Sequence, residues 1–263
     1  MTKEKELGKA IAIFNQKGGV GKTTTNINLG ACLANLGKKV LILDIDPQGN
    51  TTSGIGINKR ELKFTTYDLL IQDQFDTKQA ILKTGVKGLH IIPASVDLAG
   101  AEIELVQVEG REKRLKKAIK KVRNSYDFIF IDCPPSLGLL TINSLTAVES
   151  VLVPIQCEFY ALEGVSQLVS TIELVRKSLN KHLKIEGVVL SMFDGRTNLS
   201  VQVVQEVKKY FGSKVYTTVI PRNIRLAEAP SYGMAITEYD PKSRGAEAYT
   251  EFAHEFLERA EKK

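Results

Sequence analysis

The sequence predicts an α/β fold: a mostly parallel, twisted sheet with helices on both faces. Short apolar runs typical of strands alternate with longer helical patterns along the chain. The strand runs are almost continuously apolar, as expected when a sheet is covered on both sides. The first run is followed by a glycine-rich loop and then a helical pattern, which is the context of a phosphate-binding loop. These three observations together place the chain among P-loop proteins.

Length and composition are consistent with this fold class. A chain of 263 residues with 43% hydrophobic residues can form one large α/β domain, so we expect a single domain over residues 1–263. No run of 18 apolar residues is present, so no transmembrane helix is predicted. The segment Met1–Lys9 is short and charged, which does not fit a secretory signal.

Each element can be assigned from its pattern. Strands are predicted at Ala10–Phe14, Val40–Asp44, Leu89–Pro93, Asp127–Asp132, Ser150–Ile155, Ile185–Met192 and Val215–Ile220. Helices are predicted at 27–36, 98–123, 138–147, 163–179, 199–211 and 244–260. The polar stretch 48–66 holds three glycines and little periodicity, so we expect a mobile loop there.

The loop after the first strand has the chemistry of a phosphate site. Glycines allow its backbone N–H groups to approach phosphate oxygens, and the helix that follows adds the positive end of its dipole. Lys22 is expected to contact the β- and γ-phosphates, and the Thr23 hydroxyl to contact Mg²⁺. A second lysine, Lys17, opens the loop. The predicted phosphate-binding residues are Lys17, Gly18, Gly19, Val20, Gly21, Lys22, Thr23 and Thr24.

Three acidic residues lie at or just after the ends of predicted strands, at the edge where such sheets bind ligands. Asp44 and Asp46 are two residues apart and point the same way if their strand continues. Asp132 ends an apolar run typical of a Walker B strand, whose acid holds Mg²⁺ directly or through water. An acid in such a position can also cap the next helix. The upstream loop favours metal binding for Asp132 and for at least one of the other two.

Histidines and cysteines do not suggest another chemistry. His90, His182 and His254 are far from these motifs in sequence, which is consistent with phosphoryl transfer that relies on positioning and charge neutralisation. The three cysteines are odd in number and lie in apolar or strand-like surroundings, so they are predicted to be reduced core residues. They are Cys32, Cys133 and Cys157.

These motifs resemble the ParA/MinD family of ATPases. Lys17–Thr24 resembles its deviant Walker A box, Asp44–Asn50 its second box and Ile131–Leu137 its Walker B box. Similarity to the Soj branch of chromosome-partitioning ParA proteins is carried by Ala161–Gly164, Pro221–Ser231 and Tyr239–Gly245. The resemblance runs from about Lys9 onward. The first predicted strand begins near residue 10, so we expect no N-terminal helix-turn-helix domain of the kind found in larger plasmid ParA proteins.

The resemblance implies roles for individual residues, with ATP and Mg²⁺ as cofactors. Lys17 would act in trans on the nucleotide of a dimer partner, and Lys22 on its own nucleotide. Asp46 would orient the attacking water, while Asp44 and Asp132 would organise the Mg²⁺ shell with Thr23. The adenine contacts implied are Pro221 and Asn223.

The resemblance also implies partners: a second copy of the chain in the presence of ATP, non-specific double-stranded DNA and a ParB-type protein, with a cytoplasmic, nucleoid-associated location. Arg196 and Arg225 match DNA-binding arginines of Soj-like proteins, although each could be a plain ion-pairing residue. The segment Arg111–Arg123 has eight basic residues and one Glu, a net of 8 − 1 = +7, against +6 for the whole chain. It is either a solvated helix face or a further phosphate contact.

Two alternatives remain at this point. A MinD-type membrane-positioning ATPase would need a basic amphipathic C-terminal helix, but four glutamates within 251–261 would repel anionic lipid. Phe252, Phe256 and Leu257 are instead expected to pack on the domain. An electron-transfer protein resembling the nitrogenase iron protein would need paired cluster-binding cysteines, a pattern that Cys133 and Cys157 do not match.

Overall fold

One sheet organises the molecule. The computed structural model describes residues 7–158 and 161–261, with the backbone alone at 161–163, and in these residues eight strands form a single sheet. The strands are β1 (Lys9–Ile13), β2 (Val40–Asp44), β3 (Leu82–Lys83), β4 (Leu89–Ile92), β5 (Phe128–Asp132), β6 (Ser150–Gln156), β7 (Lys184–Phe193) and β8 (Val215–Pro221). Their order is β3-β4-β2-β5-β1-β6-β7-β8, and every neighbouring pair is parallel except β3 with β4.

Helices connect the strands. They are α1 (Lys22–Asn35), α2 (Asn50–Gly54), α3 (Thr66–Ile71), α4 (Leu98–Glu104), α5 (Arg114–Lys120), α6 (Leu139–Ala147), α7 (Ala161–Ser178), α8 (Asn198–Phe211), α9 (Ile224–Glu228), α10 (Ile236–Tyr239) and α11 (Arg244–Glu261). The predicted fold class is confirmed, and all seven predicted strands are present with ends within one residue. The two-residue strand β3 was missed because it is too short to show a period.

Two apolar layers sandwich the sheet. Ala10, Ala12 and Phe14 belong to the cluster on one face, whereas Ile11 and Ile13 belong to the cluster on the other. Successive side chains of a strand point to opposite faces, so a strand buried on both must be apolar throughout. This packing explains the continuous apolar runs and places the carboxyl ends of the parallel strands together at one edge.

The last helix is part of the core. Phe252 and Phe256 of α11 are 0% and 1% exposed, and Leu257 packs against the same cluster. The expectation that these three side chains pack on the domain is confirmed. Within the described ranges, no helix has the length and apolar character needed to cross a membrane.

Three predicted segments differ from the structure. Helix α1 begins at Lys22, five residues before the predicted start at 27. The helix predicted over 98–123 is broken, because Gly110 adopts a left-handed conformation with φ of 66° and Val108 is extended. The basic part is helical only in α5, with 3₁₀ turns at Arg111–Lys113 and Arg123–Ser125. The stretch 48–66, predicted as a loop, contains α2, whose threonines lie at the site described next.

Candidate nucleotide and metal site

The loop between β1 and α1 forms an open cradle. Gly19 and Gly21 have φ of 73° and 89°, a region that residues with a Cβ avoid. A Cβ added at Gly18 or Gly19 would meet no atom within 4 Å, so the space beside this backbone is free for a ligand. The side chain of Val20 is buried, so only its backbone can face that space. The cradle precedes the N-terminus of α1, which favours an anion.

The two lysines of the loop have different surroundings. Lys22 is 8% exposed and its Nζ donates to the carbonyl of Lys17 at 3.0 Å. It lines a cavity of about 460 Å³. Burial lowers the pKa of Lys22, and the nearby Asp132 opposes that shift. Lys17 does not line this cavity, and among the described residues its ammonium group forms no ion pair.

This cavity, which we call the phosphate cavity, has polar or charged side chains at six of its eleven lining residues. Its lining combines the loop, the start of α1 and the segment after β2. The lining residues are Gly18, Gly19, Gly21, Lys22, Thr23, Thr24, Asp46, Gln48, Asn50, Pro135 and Met192.

The three acids do not share one orientation. Strand β2 ends at Asp44, so Asp46 lies in the following turn, where its carboxylate accepts from the N–H of Gln48 and lines the cavity. Asp44 and Asp132 are instead paired across β2 and β5 and are 0% and 1% exposed. Neither lines the cavity. The expectation that Asp44 and Asp46 point the same way required the strand to continue past Asp44, and it does not.

Helix α2 holds the buried acids, a contribution that sequence reasoning missed. Thr52 donates to Asp44 Oδ2 from both its N–H (2.8 Å) and its hydroxyl (2.7 Å). Asp132 Oδ2 accepts from Thr51 and from Thr23, each at 2.7 Å. Two adjacent threonines after a strand-ending acid were a possible signal, but the glycines around them indicated a loop.

Burial and mutual repulsion govern the protonation of this pair. Burial raises the pKa of Asp44, with the nearby Asp132 carboxylate adding to the shift. Burial likewise raises the pKa of Asp132, against the hydrogen bonds from Thr51 and Thr23. Both acids therefore hold protons more tightly than exposed carboxylates do. A nearby cation would favour the charged forms.

The residues fit a magnesium ion. Asp132 Oδ1 is buried and has no hydrogen-bond partner within the described part of the chain. Thr23 lines the phosphate cavity while its hydroxyl donates to Asp132. An unused carboxylate oxygen behind a cavity-facing hydroxyl is what a hydrated, oxygen-seeking Mg²⁺ requires. When bound, the ion would neutralise phosphate charge.

A second cavity of about 380 Å³ adjoins the first and shares Gly21, Thr24 and Met192 with it. Its lining is mainly apolar and includes Pro221 and Asn223, so the structure brings the predicted adenine contacts beside the phosphate loop. The side-chain Oδ1 of Asn223 caps α9 by accepting from the N–H of residue 225 at 2.8 Å. The amide NH₂ group is therefore the part of Asn223 left for a base.

Met192 lies where the two cavities meet and was not predicted. Its φ of 51° is positive, which is unusual for a residue with a side chain. The pairing of β7 with β8 is irregular between Leu190 and Phe193, and such bulges bend a strand and redirect its side chains. The distortion lies at the strand end that faces the ligand site. The sequence contains no signal for it.

The two predicted DNA-binding arginines lie in the segments that follow neighbouring strands. Arg196 follows β7, is 89% exposed and pairs with Asp194 at 2.7 Å, which lowers the pKa of that acid to about 2. Arg225, in α9 after β8, is half exposed and pairs with Glu228 and Asp240. The N–H of residue 222 donates to the carbonyl of residue 193, which connects the ends of β7 and β8 just before these segments.

The basic segment 111–123 has its apolar side chains in the core and half of its cations in contacts with the protein. Leu115, Ala118, Ile119 and Val122 are buried, as their spacing predicted. Four of its eight cations have protein partners: Arg111 with Glu112, Arg114 with Asp73, Lys121 with the carbonyl of Phe75, and Arg123 with Glu149. These contacts favour the interpretation of a structural, solvated face.

The cysteines are all buried. Cys133 is 1% and Cys157 is 3% exposed, so neither presents its thiol to a cluster at the surface. In the described residues, no group of three or more His, Cys, Asp or Glu side chains could hold a metal ion.

Known proteins match nearly the whole chain. The family model described as "AAA domain" matches residues 8–185. The sporulation initiation inhibitor protein Soj of Bacillus subtilis is 62% identical over 95% of this chain and 98% of its own. The chromosome partitioning protein ParA of Myxococcus xanthus is 50% identical over 96% of this chain and 89% of its own. Cobyrinic acid a,c-diamide synthase of Mycobacterium smegmatis, solved with ADP and magnesium, superposes with a TM-score of 0.85 at 38% identity, covering 97% of this chain and 96% of that one.

The parallel sheet, the glycine cradle with its lysine and threonine, and the acid at the end of β5 define a P-loop ATPase with a deviant Walker A box. Sequence identity to Soj and ParA proteins over almost the full length then specifies the family within this class. The chain belongs to the ParA/Soj family of chromosome-partitioning ATPases. The resemblance, the predicted enzyme class and the predicted cofactors, a nucleotide with magnesium, are confirmed at the level of this family.

Proposed function

We propose that this chain is an ATP-dependent switch. ATP binding closes a homodimer, the dimer binds double-stranded DNA without sequence preference, and a ParB-type partner stimulates hydrolysis and release. The cargo is a chromosome or a plasmid. The protein would then be cytoplasmic and associated with the nucleoid.

The contrast between the two loop lysines carries this proposal. Lys22 already supplies a cation to the phosphate cavity of its own chain. Lys17 begins the same loop, yet it does not line that cavity. A cation beside one nucleotide site but not facing it is suited to the phosphates of a second copy, in the manner of an arginine finger. Dimerisation would then depend on ATP.

Within each site, we assign the residues as follows. The loop backbone, Lys22 and Thr24 bind the phosphates, and Pro221 and Asn223 contact the adenine. Asp46, which is half-buried at the cavity wall, orients the attacking water. Thr23 and Asp132 hold Mg²⁺ and its water shell. Asp44 does not contact the ion itself, since Thr52 and the N–H of residue 46 use both of its oxygens. It supports the metal site through the neighbouring Asp132.

For DNA, we assign the surface formed by Arg196 and Arg225. Both are ion-paired in this structure, but exposed ion pairs contribute little to stability and DNA phosphates can replace the carboxylates. A two-fold dimer presents each arginine twice, so weak sites act together. This is why ATP, which does not touch DNA, would control DNA binding.

The DNA assignment is tested on an Asp46→Ala background, where hydrolysis does not remove the dimer. Arg225→Ala, and less strongly Arg196→Ala, should weaken binding to unrelated duplexes while light scattering still detects the ATP dimer. Each substitution should lower the slope of log affinity against log salt by about 1 per lost phosphate contact. Arg176→Ala is the matched control, since Arg176 is also half exposed and paired with a glutamate three residues away.

Unchanged affinity after removal of both arginines would refute this surface. Attention would then turn to the lysines of the 111–123 segment that have no partner among the described residues. A strong preference for one duplex would refute non-specific binding. A membrane-positioning function is not proposed, because the apolar side chains of α11 that would insert into lipid are in the core.

A further inference from the structure

We infer that Thr51 is a positioning residue for magnesium: its hydroxyl holds the Asp132 carboxylate with Oδ1 available to the metal's water shell. The inference rests on the proposed assignment of Thr23 and Asp132 to the Mg²⁺-nucleotide site. It adds a residue from α2, in a stretch whose sequence indicated only a loop.

The hydrogen bonds at Asp132 are one-sided. Thr23 and Thr51 both donate to Oδ2 at 2.7 Å, whereas Oδ1 is buried without a partner. Two donors approach Oδ2 from different helices, α1 and α2, so the carboxylate cannot rotate without losing both bonds. A buried oxygen without a hydrogen bond costs free energy, and a bound cation with its waters relieves that cost.

The Thr51 hydroxyl is itself oriented. Thr51 is 0% exposed, and its Oγ1 accepts a long hydrogen bond of 3.4 Å from the Asn26 amide of α1. With an N–H donor on one side, the hydroxyl proton is directed toward Asp132. The hydrogen bonds therefore all donate in one direction, from Asn26 to Thr51 and from Thr51 to Asp132.

Thr51 differs from Thr23 in its access to the ligand. Thr23 lines the phosphate cavity and can bind the metal directly, so its bond to Asp132 must adapt when ligands enter. Thr51 does not line either cavity and is independent of the ligand. Partners that orient a metal-binding group in this way typically contribute about 10- to 100-fold to metal affinity.

The experiment measures binding rather than turnover. ADP affinity is determined by calorimetry in excess Mg²⁺ and in EDTA, and the ratio gives the Mg²⁺ contribution. Thr51→Val keeps the shape and removes the hydroxyl, so this ratio should fall about tenfold while the affinity in EDTA is unchanged. Thr51→Ser should restore the wild-type ratio. Thr77→Val is the matched control, since Thr77 is also 0% exposed and donates to the carbonyl of Ala118, outside the site.

A double-mutant cycle tests whether Thr51 acts on the magnesium ion through Asp132. In an Asp132→Asn background, Thr51→Val should have no further effect on the Mg²⁺ contribution, because Thr51 acts only through Asp132. A wild-type ratio in Thr51→Val, a failure of Thr51→Ser to restore it, or additive losses in the cycle would each overturn the inference.

Two further measurements show whether a negative result comes from a misfolded variant, from a wrong magnesium site or from a wrong role for Thr51. Thermal unfolding identifies a variant that is not folded, and Thr51→Ala then replaces Thr51→Val in every measurement. If wild-type protein itself binds ADP equally in Mg²⁺ and in EDTA, the magnesium site is wrong and the inference fails with it. If wild type shows the Mg²⁺ effect and folded Thr51 variants retain it, only the role of Thr51 is wrong.

Discussion

Asp44 and Asp46 are two residues apart yet have different surroundings. Asp44 is completely buried and held by Thr52, whereas Asp46 is half-buried at the wall of the phosphate cavity. The chemical difference comes from where β2 ends. A carboxylate beside the phosphates can orient a water, while one enclosed by hydrogen bonds can only organise its neighbours.

Asp46→Ala should separate binding from hydrolysis. Nucleotide affinity should change little, because Lys22 and the loop backbone remain, while the rate of phosphate release should fall about 100-fold or more as the attacking water loses its orientation. Lys22→Ala is the comparison, since loss of that charge should abolish nucleotide binding itself. Normal turnover in Asp46→Ala would show that another group orients the water.

The buried acid pair predicts a pH effect on the protein free of nucleotide and metal. Folding raises the pKa of Asp44, so the stabilising contribution of its neutral form is fully present below about pH 4 and is lost as pH rises through about 7. Asn at this position cannot ionise. The free energy of unfolding of wild type should therefore fall relative to Asp44→Asn across this window, by at most about 1.4 kcal/mol per pH unit.

Urea unfolding in EDTA at several pH values measures this difference. Addition of ADP and Mg²⁺ should reduce the disadvantage of wild type at pH 7, because a bound cation stabilises the ionised pair. A stability difference that stays constant from pH 4 to 7 would contradict the raised pKa.

At the scale of elements, a contact between two glycines joins the segment after α2 to the turn after α9. Gly56 has φ of 84° and Gly233 has φ of 66°. A Cβ at Gly56 would lie 2.8 Å from the carbonyl oxygen of Gly233, and one at Gly233 would lie 2.6 Å from the Cα of Gly56. The contact links the segment that carries Asp46 and Thr51 to the one that carries Arg225.

Gly56→Ala should therefore destabilise the fold by two mechanisms, left-handed backbone strain and a clash with backbone. Gly37→Ala isolates the first, since Gly37 has a similar φ of 83° and no atom within 4 Å of its added Cβ. Strain alone should cost about 1–2 kcal/mol in each variant. Urea unfolding should show Gly56→Ala to be the less stable of the two, and equal losses would exclude the clash.

At the scale of the whole molecule, dimerisation is the property that we propose converts ATP binding into a signal. Lys17→Ala on the Asp46→Ala background should bind ATP with nearly unchanged affinity yet remain monomeric. In the proposed mechanism the Lys17 charge acts at the phosphates of the partner copy, whereas Lys22 acts at those of its own chain. Size-exclusion chromatography with light scattering distinguishes the two states, with Asp46→Ala alone as the dimeric control. A stable ATP dimer without Lys17 would exclude a role of Lys17 at the nucleotide of the partner copy.

The sequence by itself determined the sheet and the phosphate cradle. Both depend on local patterns: a strand buried on two faces must be apolar throughout, and a loop that wraps phosphate needs glycines before a helix N-terminus. Motifs that are contiguous in sequence, such as Lys17–Thr24 and Asp44–Asn50, also supported the correct family.

Only the tertiary structure decided which acids face the ligand and what holds them. The burial of Asp44 and Asp132, the bonds from Thr51 and Thr52, and the bulge at Met192 depend on contacts between segments distant in sequence. The break in the predicted helix 98–123 follows from local backbone at Val108 and Gly110 that apolar periodicity does not report. Local sequence patterns specify which element forms, but hydrogen-bond partners and exposure are set by packing between elements.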